Sequence, residues 1–150
     1  MHDKSASLAL LILRVTLGTI FIAHGAQKLF GVFGGGGLEP FAGFLGSIGI
    51  PVPKAMALLV GVAEFGGGLG VLVGLLTRVA ACGPLAVMLV ALFKIHLVHG
   101  FFMNWFNIPD QGHGIEYCLA LASMSLILVI RGAGGFSLDA QRCKKQPPKL

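Results

Sequence analysis

Four apolar stretches occupy most of the chain, and each carries ionisable side chains within or at the edge of its run. Arg14, His24 and Lys28 lie in the first, Glu64 in the second, Lys94, His96 and His99 in the third, and Glu116 at the start of the fourth. Charge in hydrocarbon is costly, so a span keeps such a group where it faces a partner, a cavity or a substrate. The pattern predicts an all-α fold, a four-helix transmembrane bundle with a polar interior. The spans fall at about 8–30, 54–76, 79–99 and 113–130, each near the ~20 residues a crossing helix needs. Too little of the 150 residues then remains for a second unit, so 1–150 reads as a single integral-membrane domain.

Only 11% of the residues are charged, against ~25% in soluble domains. The net charge of +5 is no nucleic-acid footprint. The basic residues are scattered or sit at span ends, apart from a tail cluster of Arg142, Lys144, Lys145 and Lys149, and no aromatic residues interleave with it. The first apolar run continues to Phe30 and is interrupted by Arg14, which favours a retained span over a cleaved signal. Cys82, Cys118 and Cys143 form no CxxC pair and no zinc spacing. Cys82 and Cys118 fall near opposite membrane faces, so a packing role is expected rather than a dithiol relay.

Between spans one and two lie the glycine-rich Gly31–Gly37 segment and the stretch Phe41–Ile50. The latter is too short to cross and is predicted to be a short interfacial helix. Pro84 is expected to kink or loosen the first turns of span three. Lys4, Arg78, Arg131 and the basic tail fall on one side of the membrane and outnumber Lys28, Lys54 and Lys94 on the other. The positive-inside rule then places both termini, with the 131–150 tail, in the cytoplasm, and the aromatic loop around Trp105 outside.

Three small-residue stripes suit close helix packing. Gly66, Gly70 and Gly74 form one, and Ala57, Gly61, Glu64 and Gly68 a second. Arg14, Gly18, Phe21, Gly25 and Lys28 share a face of span one. Depth counted at 1.5 Å per residue puts Glu64 near mid-membrane and Arg14 within reach of it, so a buried Arg14–Glu64 ion pair is expected. Glu64 as a proton-carrying or ligand-holding group is the alternative. Nearer the outside, His24, Lys28, His96, His99 and Glu116 fall at similar depth, with Lys94 pointing away from His96. Structural pairing, a pocket for a polar ligand head and a two-His, one-carboxylate metal site are all readings of that cluster. The spacing is too weak to assign a metal, and none is expected.

The same residues resemble the DoxX family. The matching segments are Leu13-Arg14-Val-Thr-Leu-Gly18, Phe21-Ile-Ala-His24-Gly25-Ala-Gln27-Lys28-Leu, Gly49-Ile-Pro51, Ala63-Glu64, Gly74-Leu-Leu-Thr77-Arg78, His99-Gly100-Phe101-Phe102, Glu116, and Gly135-Phe136-Ser137-Leu138-Asp139. They run in order along nearly the whole chain. The resemblance implies a four-span bacterial inner-membrane protein related to quinone-linked oxidoreductase subunits and to membrane partners of thiol and superoxide detoxification. Distant relatives are described as cargo receptors or receptor chaperones. No catalytic motif carries over. The functional expectation is a subunit or partner of a membrane redox system; if catalytic, it is an oxidoreductase subunit using quinone, held near the outer cluster. No resident cofactor is visible in the sequence, and the oligomeric state is open. Two other classes stand beside it: an assembly or interaction protein docking membrane helices, and a small transporter with Glu64 as coupling group.

Overall fold

A computed structural model describes residues 3–145, with side chains through Arg142. All regular structure within them is helical: α1 (Lys4–Phe30), α2 (Leu38–Ser47), α3 (Pro53–Val73), α4 (Thr77–Ala91), α5 (Glu116–Arg131) and α6 (Leu138–Lys145). A π-helical turn, Leu92–His96, and a 3-10 turn, Leu97–His99, extend α4. Around the bundle, α1 packs on α3, α3 on α4 and α4 on α5, and α5 touches α1 lightly. Lys4–Phe30, Pro53–Val73 and Thr77–His99 are long and apolar enough to cross a membrane. The 16 residues of α5 give only ~24 Å of helix. Large outward side chains such as Leu59, Val62, Val79 and Phe93 are exposed, as a lipid-facing surface requires.

Glycines set the α1–α3 crossing. A methyl group at Gly25 would fall 2.8 Å from Phe65 Cα, and one at Gly18 would fall 2.9 Å from Gly68 O and Leu72 N. The Gly18–Gly25 stripe of α1 thus meets the Gly61–Gly68 stripe of α3. The Gly66–Gly70–Gly74 series is not one packing face. Gly66 has open space beside it, Gly70 packs on Ala80 of α4, and Gly74 ends α3 in the left-handed conformation at φ +70°.

Several boundaries differ from the sequence reading. The short helix begins at Leu38, three residues before the expected Phe41, and the last long helix starts at Glu116, leaving His113 in the loop. α4 runs through Pro84, whose ring packs on Gly67. The chain leaves α geometry at the π-turn, Leu92–His96. The tail contains a helix that apolar periodicity could not reveal. Of the basic cluster, only Arg142 has a described side chain; Lys144 and Lys145 contribute backbone, and Lys149 lies outside the described residues, as does the Cys143 side chain. Cys118 is buried as expected, whereas Cys82 is exposed.

α6 closes the end of the bundle where α3 turns into α4. The Asp139 carboxylate accepts hydrogen bonds from Leu76 N (2.7 Å), Thr77 N (3.0 Å) and the Thr77 hydroxyl (2.9 Å). Its own backbone N–H donates to Gly74 O. Asp139 therefore supplies, from another helix, the N-terminal cap that α4 lacks in its own sequence. Burial pushes the Asp139 carboxyl up; the hydrogen bonds from Thr77 and Leu76, with Arg142 nearby, outweigh that and hold it below its ordinary value. At the same end Gly135 N–H donates to the Ser7 hydroxyl. We refer to this as the turn end and to the opposite one as the loop end.

Candidate functional site

Between the loop end and mid-bundle, α1, α3, α4 and α5 enclose a cavity of about 920 Å³. Its wall is mainly aliphatic and aromatic. In that wall the Lys28 ammonium donates to Glu64 Oε2 at 2.5 Å. Glu64 is 1% exposed and Lys28 20%. Lys28 is further held over the Phe41 ring of α2, 5.4 Å from its centroid. His24, one helical turn before Lys28, lies 6.5 Å from the Tyr117 ring, centroid to centroid. Both rings line the cavity. The result is an ammonium, a carboxylate, an imidazole and a phenol converging on one apolar chamber.

The partner of Glu64 is therefore Lys28, and the expected Arg14–Glu64 pair is absent. The reason is helix register. Gly25 faces Phe65 and Gly18 faces Leu72, which sets Glu64 about level with Ala26 and leaves Arg14 ~18 Å along α1 from that level. Counting depth from the span ends assumed that α1 and α3 end together. In fact α3 begins beyond the end of α1, where Ala57 packs with Ala42 and Leu45 of α2. Arg14 instead reaches the turn end, where Nη2 donates to Phe136 O at 2.7 Å. Its Nε and Nη1 are buried without an acceptor among the described residues.

The outer cluster divides. His24, Lys28 and His96 line the cavity, while His99 and Glu116 do not. The exposed His99 ring packs against Gly112 of the loop. Glu116 Oε1 accepts from Met103 N and from Trp105 Nε1, both at 3.0 Å, so its task is to fix the aromatic loop. Lys94 is exposed, and it borders the cavity together with Ile95 and His96 of the π-turn. His96 Nδ1–H donates to His113 O at 2.7 Å, which leaves Nε2 of a neutral ring as an acceptor. Among the described residues, no three His, Cys, Asp or Glu side chains come together as a metal site would need.

Two participants escaped the sequence reading. Tyr117 was hidden because a lone tyrosine early in an apolar helix carries no motif. Asn104 sits beside Trp105 in the aromatic loop, where the ring-bearing residues dominate the pattern. It is buried, and its side chain donates to Ile108 O and Gln111 O and accepts from Ile108 N. It thereby shapes the loop that brings Met103 and His113 to the cavity. Asparagine in a sixteen-residue loop such as 100–115 was the available signal, since its amide can satisfy several backbone groups at once.

The chain is 32% identical to the Bacillus subtilis protein named "Putative oxidoreductase CatD" over 138 residues, 91% of this chain and 89% of that one. It is 28% identical to the Escherichia coli inner membrane protein YqjF over 144 residues, 95% of this chain and 98% of the relative. No solved structure matches. The DoxX family model matches residues 9–97, from the Arg14 face of α1 through Lys28, Glu64 and the π-turn. The chain belongs to the DoxX family of membrane proteins.

Proposed function

We propose that this protein holds the polar head of a quinone-type amphiphile in the chamber around Lys28 and Glu64, and that it does so as a subunit or partner of a membrane redox system. The observation that carries the reading is an ammonium–carboxylate pair, its carboxylate fully buried, in the wall of a large, mainly apolar cavity. Convergent polar groups in an apolar chamber are the ordinary form of a small-ligand site. A quinone carbonyl would accept from the Lys28 ammonium or from the Tyr117 hydroxyl, with His24 beside them. The relative named as an oxidoreductase supports the redox class. Electrons would enter through a partner protein or through the quinone itself.

The proposed placement has four spans, with α5 as a short one accommodated by hydrophobic mismatch, and α2 at the outer interface. Lys4, Arg78 and Arg131 lie at the turn end, which by the positive-inside rule makes that end and both termini cytoplasmic in the bacterial inner membrane. Reporter fusions after Lys145 should be active in the cytoplasm, and fusions at Gly36 and Pro109 outside; the reverse pattern would invert the protein. The interaction-protein reading loses support because Gly18, Gly25, Gly61 and Gly68 are occupied by contacts within the chain.

Thermal unfolding with added quinone tests the ligand. A ligand of the folded state at about 100 times its Kd adds ~2.7 kcal/mol. The wild type should show a quinone-dependent rise in melting temperature. His24→Ala should diminish it, and His99→Ala, outside the cavity wall, should not. No shift in the wild type would remove the reading.

A further inference from the structure

We infer that the cavity is entered sideways from the bilayer, through a cleft between α3 and α4, and that the hydrocarbon tail of its amphiphilic occupant lies in that cleft. For the identity of the head this rests on the ligand reading above; for the tail it has its own geometry. From the turn end as far as Gly83, α3 and α4 are in close contact. A methyl at Gly67 would fall 2.7 Å from Ala80 O, and one at Gly83 would fall 3.2 Å from the Ala63 backbone. Beyond that level the cavity separates them. Leu59 on α3 and Ala86 and Val90 on α4 line it, yet Leu59 is 59% and Val90 53% exposed, and Ala86 is exposed as well.

A residue that both lines a cavity and faces outward marks its opening. These residues sit well inside the spans. Leu59 is ~9 Å along the axis from the start of α3, and Val90 ~13 Å from the end of the α4 extension, so the opening faces hydrocarbon. On the loop-end side the wall is formed by Phe41, Phe44 and Leu45 of α2 and Met103 and His113 of the loop. Phe44 and His113 are themselves exposed, so the cavity opens there as well, toward the headgroup region, while the cleft between α3 and α4 is the opening that faces hydrocarbon. At about 920 Å³ the cavity is near the upper end of ligand sites, ~300–1,000 Å³. Lys28, Glu64, His24 and Tyr117 form its inner polar group, Lys94, His96 and His113 lie toward the loop, and the rest of the wall is mainly apolar. A compact water-soluble ligand would leave most of the apolar wall unmatched. A head with a long hydrocarbon tail matches both parts.

The test uses the full chain in nanodiscs whose phosphatidylcholine carries a diazirine in the acyl chain, with adducts mapped by mass spectrometry. Wild type should be labelled on the outward residues Leu58 and Val62 and also on the cavity-wall residues Val60, Ala63 and Val87. Ala86→Trp should reduce the cavity-wall adducts at least tenfold and spare the outward ones. Leu59→Trp serves the same end if Ala86→Trp does not fold. Adducts confined to the outward residues in wild type would overturn the inference, and this is the outcome if a second copy seals the cleft. Thermal unfolding with a tail-less benzoquinone and its polyprenylated counterpart separates the two readings. If neither stabilises the wild type while the lipid adducts form, the head assignment fails and the cleft stands. If both stabilise it equally, and Ala86→Trp changes neither, the head assignment stands and the cleft is overturned.

Discussion

The two fully buried charges of the bundle, Arg14 at the turn end and Glu64 at the loop end, are held in opposite ways. At the turn end, Asp139 caps α4, Ser7 holds the Gly135 amide, and Arg14 bonds to the Phe136 carbonyl. Each of these contacts ties a side chain to backbone, and helices α3 and α4 are pressed together around them. At the loop end, Lys28 and Glu64 bond to each other, side chain to side chain, and face a chamber. Groups tied to backbone fix an architecture. Groups tied only to one another, beside open space, remain available to a ligand. On the proposed function, the Lys28–Glu64 pair at the loop end serves a ligand and Arg14 at the turn end serves the architecture, although both were equally conspicuous in the sequence.

The largest expected effect breaks the loop-end pair. Lys28→Met leaves Glu64 buried without its counter-ion and should destabilise the protein by about 3–5 kcal/mol, whereas Lys28→Met combined with Glu64→Leu should regain most of that. The double variant should fold and fail to respond to quinone. Double-mutant cycles in a denaturation assay should show strong coupling for Lys28 with Glu64. For Arg14 with Glu64 they should be additive within ~0.5 kcal/mol.

Next in size is the α1–α3 crossing that separates the two ends. Gly25→Ala drives a methyl group into the Phe65 backbone and should cost about 1–3 kcal/mol, the range for overpacking. Gly66→Ala, with open space beside it, should be neutral or stabilising by up to ~1 kcal/mol through helix propensity. Equal losses for the two variants would mean the crossing is looser than described.

The smallest effect lies at the turn end. Asp139→Ala removes the cap of α4 and should cost about 1 kcal/mol. Because the folded Asp139 carboxyl lies below its ordinary value, its contribution is complete above the unfolded value of ~3.9. It is lost as pH falls through the lower folded value. Melting temperature followed from neutral pH to about pH 3 should therefore fall more in wild type than in Asp139→Ala. Parallel curves would show that the cap carries no net charge coupling.

Much of the fold was legible because helix periodicity and small-residue stripes are local properties. The α1 face through Gly18 and Gly25 and the α3 face through Gly61 and Gly68 were readable separately, and the structure joins them. What one sequence could not give was their axial offset. Arg14 and Lys28 share a face four turns apart, so either was eligible to meet Glu64, and the choice depends on how far α3 extends past α1. The same limit applies to His99 and Glu116, which have a depth similar to His96 but turn into the loop. α6 was missed because its docking uses capping bonds of Asp139 rather than an apolar stripe. The two segments that it joins, Gly74–Arg78 and Gly135–Asp139, both belong to the stretches that resemble the family.

The central claim is that the loop-end chamber, and not the turn end, receives a polar-headed amphiphile. A photoreactive quinone incubated with the purified protein, followed by peptide mapping of the adducts, tests it most directly. Adducts should concentrate on the His24–Lys28 and Tyr117–Leu121 segments and should disappear in Lys28→Met combined with Glu64→Leu. Adducts centred on Arg14, Gly74 or Phe136, or labelling unchanged in that double variant, would contradict the account.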